Sequence, residues 1–399
     1  MQKIRITINN DLLVIGLMSG TSVDGCDAAL VRIENANSDE PKFSLIDFIT
    51  KPYEEKFVKK IKRNLADETA KLSEICSLNY ELSYEFVKAI DILLANNNLC
   101  YKDIDLVCSH GQTIWHNPHG LGGNIPSTLQ IGNGQIISTI TGIPTISNFR
   151  VSDVCDGGEG APLVPMFEYM YFRSKDKNII LQNLGGMGNL TYLAKDCTID
   201  DVVAFDTGPA NVMIDYFCNK YFNKPYDENG KIALSGRIIN EIFEVIKDDD
   251  FIKESPPKST GRERYSKENL EKMAKELSFD KYNKNDIITT ITELTVYSMD
   301  YNYKHFTKEV DEIIISGGGA HNQYIINRMK ELYPNKVFTS DDKNVNSDAK
   351  EAFAFACIGY LSIIGKTGNV KASTGAKNDL VLGELSLAQR RWKNVSRFN

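Results

Sequence analysis

The sequence of 399 residues lacks the features that mark several large classes of protein. No run of about 18 uncharged apolar residues occurs, so no transmembrane helix is expected, and the first residues hold no apolar core long enough for a signal peptide. The eight cysteines are scattered, with no CxxC pair and no metal-ligand spacing. These absences predict a cytoplasmic protein that contacts no membrane, has no transition-metal site and uses its cysteines mostly as small buried hydrophobic residues.

Positive charge is also scarce: 46 Lys and Arg stand against 53 Asp and Glu, a formal net charge of −7. No basic cluster interleaved with aromatic residues follows one face, so a nucleic acid is not an expected partner. Hydrophobic residues make up 42% of the chain and charged residues 25%, as in ordinary globular proteins. The length favours two or three domains.

Apolar patterns predict an α/β protein built from two similar halves. Residues 12–17, 28–33 and 43–49 read as an antiparallel meander, and strand patterns return after residue 178. Both halves open with a strand, a glycine-rich turn and further strands, which predicts a duplicated architecture with a cleft between the halves. Residues 109–165, rich in Gly, Pro and Asn, show little periodicity and are predicted as a long loop region that builds much of the active site.

Three glycine-rich turns at strand ends, residues 16–22, 183–191 and 316–322, have the composition of phosphate cradles. Glycine lets the backbone approach a ligand, so that aligned N–H groups donate to phosphate oxygens. None matches the P-loop pattern, and the third lacks the GxGxxG spacing of a dinucleotide fold. Ordinary hairpin turns explain each one as well, and the three together leave the two interpretations about equally supported.

Four further segments combine polar groups in unusual ways. Residues 109–116 place histidines and a tryptophan after a strand, which suits a sugar but also suits a tryptophan that packs a loop. Asp153 precedes a Gly/Pro loop and is either a general base or a turn cap. Asp206 lies at a helix start and is able to hold Mg²⁺ through water. Residues 256–263 form either a solvent loop or a mobile lid that brings Lys and Arg to a charge.

Taken together, these segments resemble the anhydro-N-acetylmuramic acid kinases, bacterial sugar kinases of the actin/hexokinase/Hsp70 superfamily. The resemblance covers nearly the whole chain, in order, through GLMSGTSVDGCDAAL, SHGQTIWHNP, GIPTISNFRVSD, GGEGAPLVP, NLGGMGNLTYL, FDTGPANVMID, PPKSTGRERY, ISGGGAHN and EAFAFACIGYL. It implies a two-domain actin-like ATPase fold of duplicated ribonuclease H-like type, with the ATP phosphates in an interdomain cleft. The expected domains are residues 1–165 and 166–399, with the last helix free to pack back on the first.

The resemblance also implies a reaction. Water opens the 1,6-anhydro ring of 1,6-anhydro-N-acetylmuramic acid while O6 takes the γ-phosphate of ATP, which gives N-acetylmuramic acid 6-phosphate in cell-wall recycling. Asp153 is implied to take the proton of the water that attacks C1, ATP and Mg²⁺ are the implied cofactors, and a homodimer is left open. The implied ATP-binding residues are Gly16, Ser19, Gly20, Thr21, Ser22, Asp24, Gly185, Gly186, Asn189, Asp206, Gly208, Gly317, Gly318, Gly319 and Asn322. The implied sugar-binding residues are His110, Gln112, Thr113, Trp115 and Glu351, and no residue is assigned as a direct metal ligand.

Two departures from the related patterns bear on the site. Glu159 stands where many relatives have Gln, which adds a carboxylate beside the implied base. The superfamily generally has Asp where the first two phosphate turns here have Met18 and Asn183, so Asp24 and Asp206 are expected to take over the outer shell of the metal. A kinase for a simpler anhydrosugar such as levoglucosan, and a non-catalytic nucleotide-binding module, are the alternative functions.

Overall fold

A computed structural model describes residues 9–20, 23–261 and 264–387 of the chain. The strands are β1 (Leu12–Ser19), β2 (Gly25–Glu34), β3 (Lys42–Pro52), β4 (Leu106–Asn117), β5 (Ser127–Ile131), β6 (Thr145–Ser147), β7 (Ile179–Leu184), β8 (Met187–Leu193), β9 (Val203–Pro209), β10 (Glu312–Ser316), β11 (Val337–Thr339) and β12 (Glu384–Ser386). The α-helices are α1 (Glu55–Arg63), α2 (Leu72–Asn96), α3 (Gly134–Thr141), α4 (Val151–Cys155), α5 (Val164–Phe172), α6 (Asn211–Phe222), α7 (Lys231–Ser235), α8 (Asn240–Ile246), α9 (Asp250–Lys253), α10 (Lys267–Glu276), α11 (Lys284–Phe306), α12 (Gln323–Leu332), α13 (Lys350–Ile363) and α14 (Lys371–Thr374).

The chain divides into two units that differ from the division expected from the sequence. Unit 1 contains Met1–Tyr171 and Ala349–Asn399, and unit 2 contains Phe172–Asp348. The sequence-based division set the boundary at residue 165 and left the last helix free to pack on the first domain. The last long helix, α13, packs on β1, β2 and β4 of unit 1, because its nearly all-apolar surface is buried against that sheet.

Unit 1 is built on a mixed sheet with the strand order β12-β6-β4-β1-β2-β3, to which β5 adds by pairing with β4. Strands β1, β2 and β3 form an antiparallel meander, whereas β4 runs parallel to β1 and β6 runs parallel to β4. Alternate residues of β1 face opposite sides: Ile15 and Leu17 belong to the core that contains α2, and Gly16 faces α13. The sheet is therefore covered by helices on both faces.

Unit 2 repeats this arrangement. Its sheet has the order β11-β10-β7-β8-β9, with an antiparallel β7-β8-β9 meander followed by β10 parallel to β7 and β11 parallel to β10. This is the order that β6-β4-β1-β2-β3 has in unit 1, as a duplicated ribonuclease H-like fold requires. The predicted α/β class and the predicted duplication of the actin-like fold are confirmed.

The meander predicted over residues 12–17, 28–33 and 43–49 is formed by β1, β2 and β3, but the predicted loop region over residues 109–165 is wrong. Strand β4 continues to Asn117, and β5, α3, β6 and α4 follow it. The pattern concealed these elements because polar side chains occupy the carboxyl half of β4, where the hydrophobic period of a strand is lost. Among the helices with assigned positions, none has the length and apolar character that a bilayer crossing requires.

Candidate active site

In unit 1, the carboxyl ends of the parallel strands β1, β4 and β6 bring three sequence motifs together. The register places Ser19, the last residue of β1, opposite Gln112 of β4, although the two lie 93 residues apart in the chain. After β6 the chain passes through Arg150 into α4, which carries Asp153. Ligands of open α/β sheets bind at this edge of the strands, so the first phosphate turn and the two polar segments converge where a site is expected.

Asp153 is a fully buried carboxylate, with no solvent exposure. Its Oδ1 accepts a hydrogen bond from the Gly160 backbone N–H at 2.7 Å. Its Oδ2 accepts from the Thr374 hydroxyl at 2.7 Å and from the Asn369 amide at 3.3 Å. These three donors satisfy much of the acceptor capacity of the carboxylate and fix its orientation. A turn cap uses only the first of them, so the structure shows more than the turn-capping interpretation requires.

Arg150 connects Asp153 to His110. Its Nε donates to His110 Nε2 at 2.9 Å, and its Nη1 donates to the Gly160 carbonyl at 2.7 Å. The other histidine nitrogen, Nδ1, lies 2.9 Å from the Gly111 carbonyl, which assigns the proton to Nδ1. Burial and the neighbouring Arg150 hold the pKa of His110 well below its usual value, so the ring is neutral. Both nitrogens of His110 thus have protein partners, and neither is available to a sugar in this arrangement.

Glu351, in the first turn of α13, is exposed to solvent. Desolvation nevertheless raises the pKa of its carboxyl, against the opposing effects of Arg150 and Lys350. The preceding residue, Lys350, makes a buried ion pair with Glu168 at 2.5 Å, which fixes the helix turn that carries Glu351.

The first phosphate turn is anchored by hydrogen bonds between buried side chains. The Ser19 hydroxyl donates to Gln112 Oε1 at 2.7 Å and accepts from the Tyr53 hydroxyl at 3.0 Å. Asp24 is exposed to solvent, and Gly20 is the last residue of this turn that the structure describes before residue 23. Thr21 and Ser22, which were also predicted to bind ATP, lie outside the described residues.

Gly16, Thr113 and Trp115 complete the predicted residues of unit 1. A Cβ on Gly16 would lie 1.8 Å from the Ala352 carbonyl oxygen, so close packing of α13 accounts for this glycine. Thr113 accepts a hydrogen bond from Gln130 at 3.3 Å. Trp115 is half-buried on β4, opposite Leu129 of β5, and retains accessible surface for a ligand.

In unit 2, the second and third glycine-rich turns meet at the carboxyl ends of β7 and β10. These strands are parallel, with Ser316 opposite Asn183. Gly317 has a positive φ of 79°, and a Cβ there would lie 2.6 Å from Asn183 Oδ1. Gly318 is exposed, and a Cβ on it would have no atom nearer than 3.7 Å. The third turn is thus packed on the second through Gly317 and open at Gly318.

The ends of both turns are held by local hydrogen bonds. Asn322 is the N-cap of α12, and its side-chain oxygen accepts from the backbone N–H groups of Tyr324 at 3.1 Å and Ile325 at 3.4 Å. The carbonyls of Gly185 and Gly186 accept from the first backbone N–H groups of the segment that enters α6. The second turn is therefore tied to the helix that follows β9.

Asp206 anchors the segment around residues 258–260. It pairs with Asn189 across β8 and β9, and its Oδ2 accepts from the Thr260 backbone at 2.8 Å and from the Ser259 hydroxyl at 3.2 Å. Gly208, further along β9, has a φ of 143° and packs against Ile252. Residues 258–260 are thus attached to β9 by hydrogen bonds to Asp206.

Comparison with known proteins identifies the family. The family model described as anhydro-N-acetylmuramic acid kinase matches residues 12–388. A relative of that name from Clostridioides difficile is 42% identical over 93% of this chain and 97% of its own, and one from Caldanaerobacter subterraneus is 42% identical over 96% and 99%. The chain belongs to the anhydro-N-acetylmuramic acid kinase family. Such a kinase is a phosphotransferase that uses ATP and acts on a small sugar.

Among solved structures, component A of the (R)-2-hydroxyglutaryl-CoA dehydratase of Acidaminococcus fermentans aligns with this chain at a TM-score of 0.45 and 10% identity. The alignment covers 88% of this chain and 99% of the other. Nothing about activity follows from so distant a likeness.

The lid interpretation of residues 256–263 required Lys258 to point outward to a charged ligand. In this member of the anhydro-N-acetylmuramic acid kinase family, Lys258 instead points into unit 2. Its buried Nζ donates to the carbonyls of Phe251 at 3.0 Å and Ile252 at 2.9 Å. The ammonium also lies over the rings of Phe205, Phe251 and Phe306, at 5.1 to 5.7 Å from their centroids. Arg262, from the same segment, lies outside the described residues.

Sequence reasoning missed several residues that support the site of this kinase. Asn369 and Thr374, which donate to Asp153, come from a short polar stretch that reads only as turns. Gln182, buried inside β7, donates to the Asn189 carbonyl at 2.9 Å and accepts from the Tyr303 hydroxyl at 2.9 Å, beneath the second turn. A polar residue inside an otherwise apolar strand was the only available signal for Gln182.

Proposed function

We propose that this protein converts 1,6-anhydro-N-acetylmuramic acid and ATP into N-acetylmuramic acid 6-phosphate and ADP, with water opening the anhydro ring. The observation that supports this most directly is the buried carboxylate of Asp153, held by three donors at the sheet edge that gathers the other polar motifs of unit 1. A base that must act on one water molecule needs a fixed orientation, which those donors supply.

In the proposed reaction, each bond that forms is matched by one that breaks. The oxygen of water bonds to C1 as the C1–O6 bond breaks, and O6 receives the γ-phosphoryl group while ADP leaves. Asp153 takes the proton that the water loses. Because an alkoxide is a poor leaving group, transfer of the phosphoryl group to O6 during its departure removes the main difficulty of opening the ring. The substrate's sugar ring is proposed to contact Trp115, Thr113 and Glu351.

The nucleotide is proposed to use the open turns of unit 2. Backbone N–H groups at Gly185 and Gly186 are suited to phosphate oxygens, and Asn189 and Gly208 lie on the strands that border this turn. The turn from Gly317 to Gly319, with Asn322 after it, is proposed to lie beside the adenosine. The open space at Gly318 supports this assignment, since a ligand is able to approach the backbone there. Ser19, Gly20 and Asp24 stay predicted phosphate contacts of the first turn.

Mg²⁺ is proposed to enter with ATP. Within residues 9–20, 23–261 and 264–387, no group of three His, Cys, Asp or Glu side chains is placed to hold a metal ion. The carboxylates of Asp206 and Asp24 are hard oxygen donors of the type that Mg²⁺ prefers, directly or through water, so the chemistry of these two residues fits the ion. When bound, Mg²⁺ neutralises charge on the phosphates during transfer.

The proposed function is tested by following ADP release and sugar-phosphate mass together, in water enriched in ¹⁸O, with a panel of anhydrosugars. We expect the label at C1 of the product, and faster turnover of the muramic substrate than of levoglucosan. Unlabelled product would refute the role of water, and preference for levoglucosan would refute the proposed substrate.

The role of Asp153 is tested separately by Asp153→Asn. We expect ATP binding to persist and kcat to fall about 10²- to 10⁴-fold, the range that a general base contributes. Glu159→Gln is the matched control, because the Glu159 side chain is 48% exposed and its Oε1 lies 3.6 Å from His119 Nε2, away from the Asp153 carboxylate's three donors. An Asp153→Asn enzyme with the rate of that control would exclude the general-base role.

Two further proposals concern the setting of the reaction. We propose that the protein works in the cytoplasm, where ATP is available, and fractionation of the native host tests this. The homodimer stays a prediction, which light scattering of the purified protein decides.

A further inference from the structure

We propose that Arg150 is a positioning residue that orients the carboxylate of Asp153 by fixing the Gly160 peptide groups. The inference rests on the proposed general-base role of Asp153 and goes beyond it, because the resemblance assigned no role to Arg150.

Arg150 is connected to Asp153 through the carbonyl and the N–H group of Gly160. Arg150 Nη1 donates to the Gly160 carbonyl at 2.7 Å, and the Gly160 N–H donates to Asp153 Oδ1 at 2.7 Å. Gly160 has a φ of 67°, and a Cβ on it would lie 2.8 Å from Val154 Cγ2. The backbone at Gly160 is thus in a conformation that few residues adopt, and a flexible glycine needs partners to stay there. If the bond from Arg150 is lost, the Gly160 N–H, which is the donor to Asp153 Oδ1, is no longer held in place.

Arg150 is itself fixed at its other end. Its Nε donates to His110 Nε2, and His110 keeps that nitrogen unprotonated because Nδ1 faces the Gly111 carbonyl. The ring of His110 packs on Phe355 with centroids 4.7 Å apart, which prevents the imidazole from turning away. The planar guanidinium therefore spans two acceptors on different segments. A lysine ammonium is a point charge on a flexible stem and does not reproduce this fork.

The charge balance supports positioning over recognition of a substrate carboxylate. The ionisable groups that face Arg150 are His110 and His116 from β4, Asp153 from α4 and Glu351 from α13. Burial lowers the pKa of Arg150 to about 10, so it remains a cation at neutral pH, and the two carboxylates oppose that shift. Arg150 already has two protein acceptors, His110 and Gly160, and two neighbouring carboxyl groups, so positioning accounts for this buried cation without a substrate carboxylate.

Arg150→Ala and Arg150→Lys test the proposal in the full-length enzyme, with exposed Arg237→Ala as the control. We expect Arg150→Ala to lower kcat about 100-fold, the cost of a misplacement of about 1 Å, with little change in the KM for ATP. Added guanidinium should restore part of kcat. Arg150→Lys should not reach the wild-type kcat, because a lysine ammonium does not reproduce the fork that joins His110 to Gly160.

A purely structural role predicts a different result. If both Arg150 variants lose kcat in proportion to lost folded protein, with no rescue by guanidinium, the positioning role is refuted. Should Arg150→Ala fail to fold, Arg150→Lys decides the question alone: a wild-type kcat overturns the proposal, and a reduced kcat with an intact melting temperature supports it. An active Asp153→Asn enzyme, by contrast, would refute the general-base role itself.

Discussion

Replacement of Gly16 by alanine should separate β1 from α13 and damage both stability and catalysis. The added Cβ would lie 1.8 Å from the Ala352 carbonyl oxygen, 2.8 Å from its carbonyl carbon and 3.0 Å from the Ala356 nitrogen. All three are backbone atoms, so no side chain is able to rotate away. Since real Cβ atoms essentially never approach within 3.0 Å, the helix and strand must move apart by about 1.2 Å, the difference between 3.0 and 1.8 Å.

The expected cost is large because this contact is central to unit 1. Overpacking of a core usually costs about 1–3 kcal/mol, and a clash of rigid backbone belongs at or above the upper end. The same shift moves the first turn of α13, which carries Glu351. A displacement of about 1 Å in a positioning element is enough to lower turnover about 100-fold. We therefore expect Gly16→Ala to lose about 3 kcal/mol of unfolding free energy and most of its activity.

Urea unfolding followed by far-UV circular dichroism measures the first effect, and ADP release at saturating ATP and sugar measures the second. Gly318→Ala is the matched control for stability, because its Cβ would have no neighbour within 3.7 Å. Its unfolding free energy should stay near the wild-type value. If Gly16→Ala unfolds at the same urea concentration as Gly318→Ala, the packing argument is wrong.

Two other predictions concern buried charges. Burial lowers the pKa of Lys258 to about 8, so between that pH and the pKa of 10.5 of an unfolded lysine the unfolded chain binds more protons, and the unfolding free energy should rise with pH. Lys258→Met should remove this rise, measured by urea unfolding between pH 8 and about 10. An equal dependence of the unfolding free energy on pH in both proteins would contradict the prediction. Glu168→Gln removes the carboxylate that pairs with the buried Lys350 ammonium and should cost about 3–5 kcal/mol of unfolding free energy, more than Glu168→Leu combined with Lys350→Met. A Glu168→Gln variant as stable as wild type would show that the pair contributes nothing.

Local patterns predicted much of the fold because each unit repeats one strand order with clear hydrophobic periods. The antiparallel meander predicted from residues 12–17, 28–33 and 43–49 is formed by β1, β2 and β3. The carboxyl half of β4 was missed, since its polar residues serve the candidate site and break the strand period. Sequence motifs also selected Asp153, but no local pattern indicates that Thr374, more than 200 residues later, donates to it.

The sequence by itself determined the fold class, the family and the positions of the glycine-rich turns, because these depend on residue types at short spacing. Only the tertiary structure decided how side chains are used. It turned Lys258 inward among aromatic rings, gave both nitrogens of His110 protein partners and assigned Gly16 to helix packing. Hydrogen bonds and close contacts depend on distances between atoms far apart in the chain, and those distances are fixed only when the sheets and helices have packed.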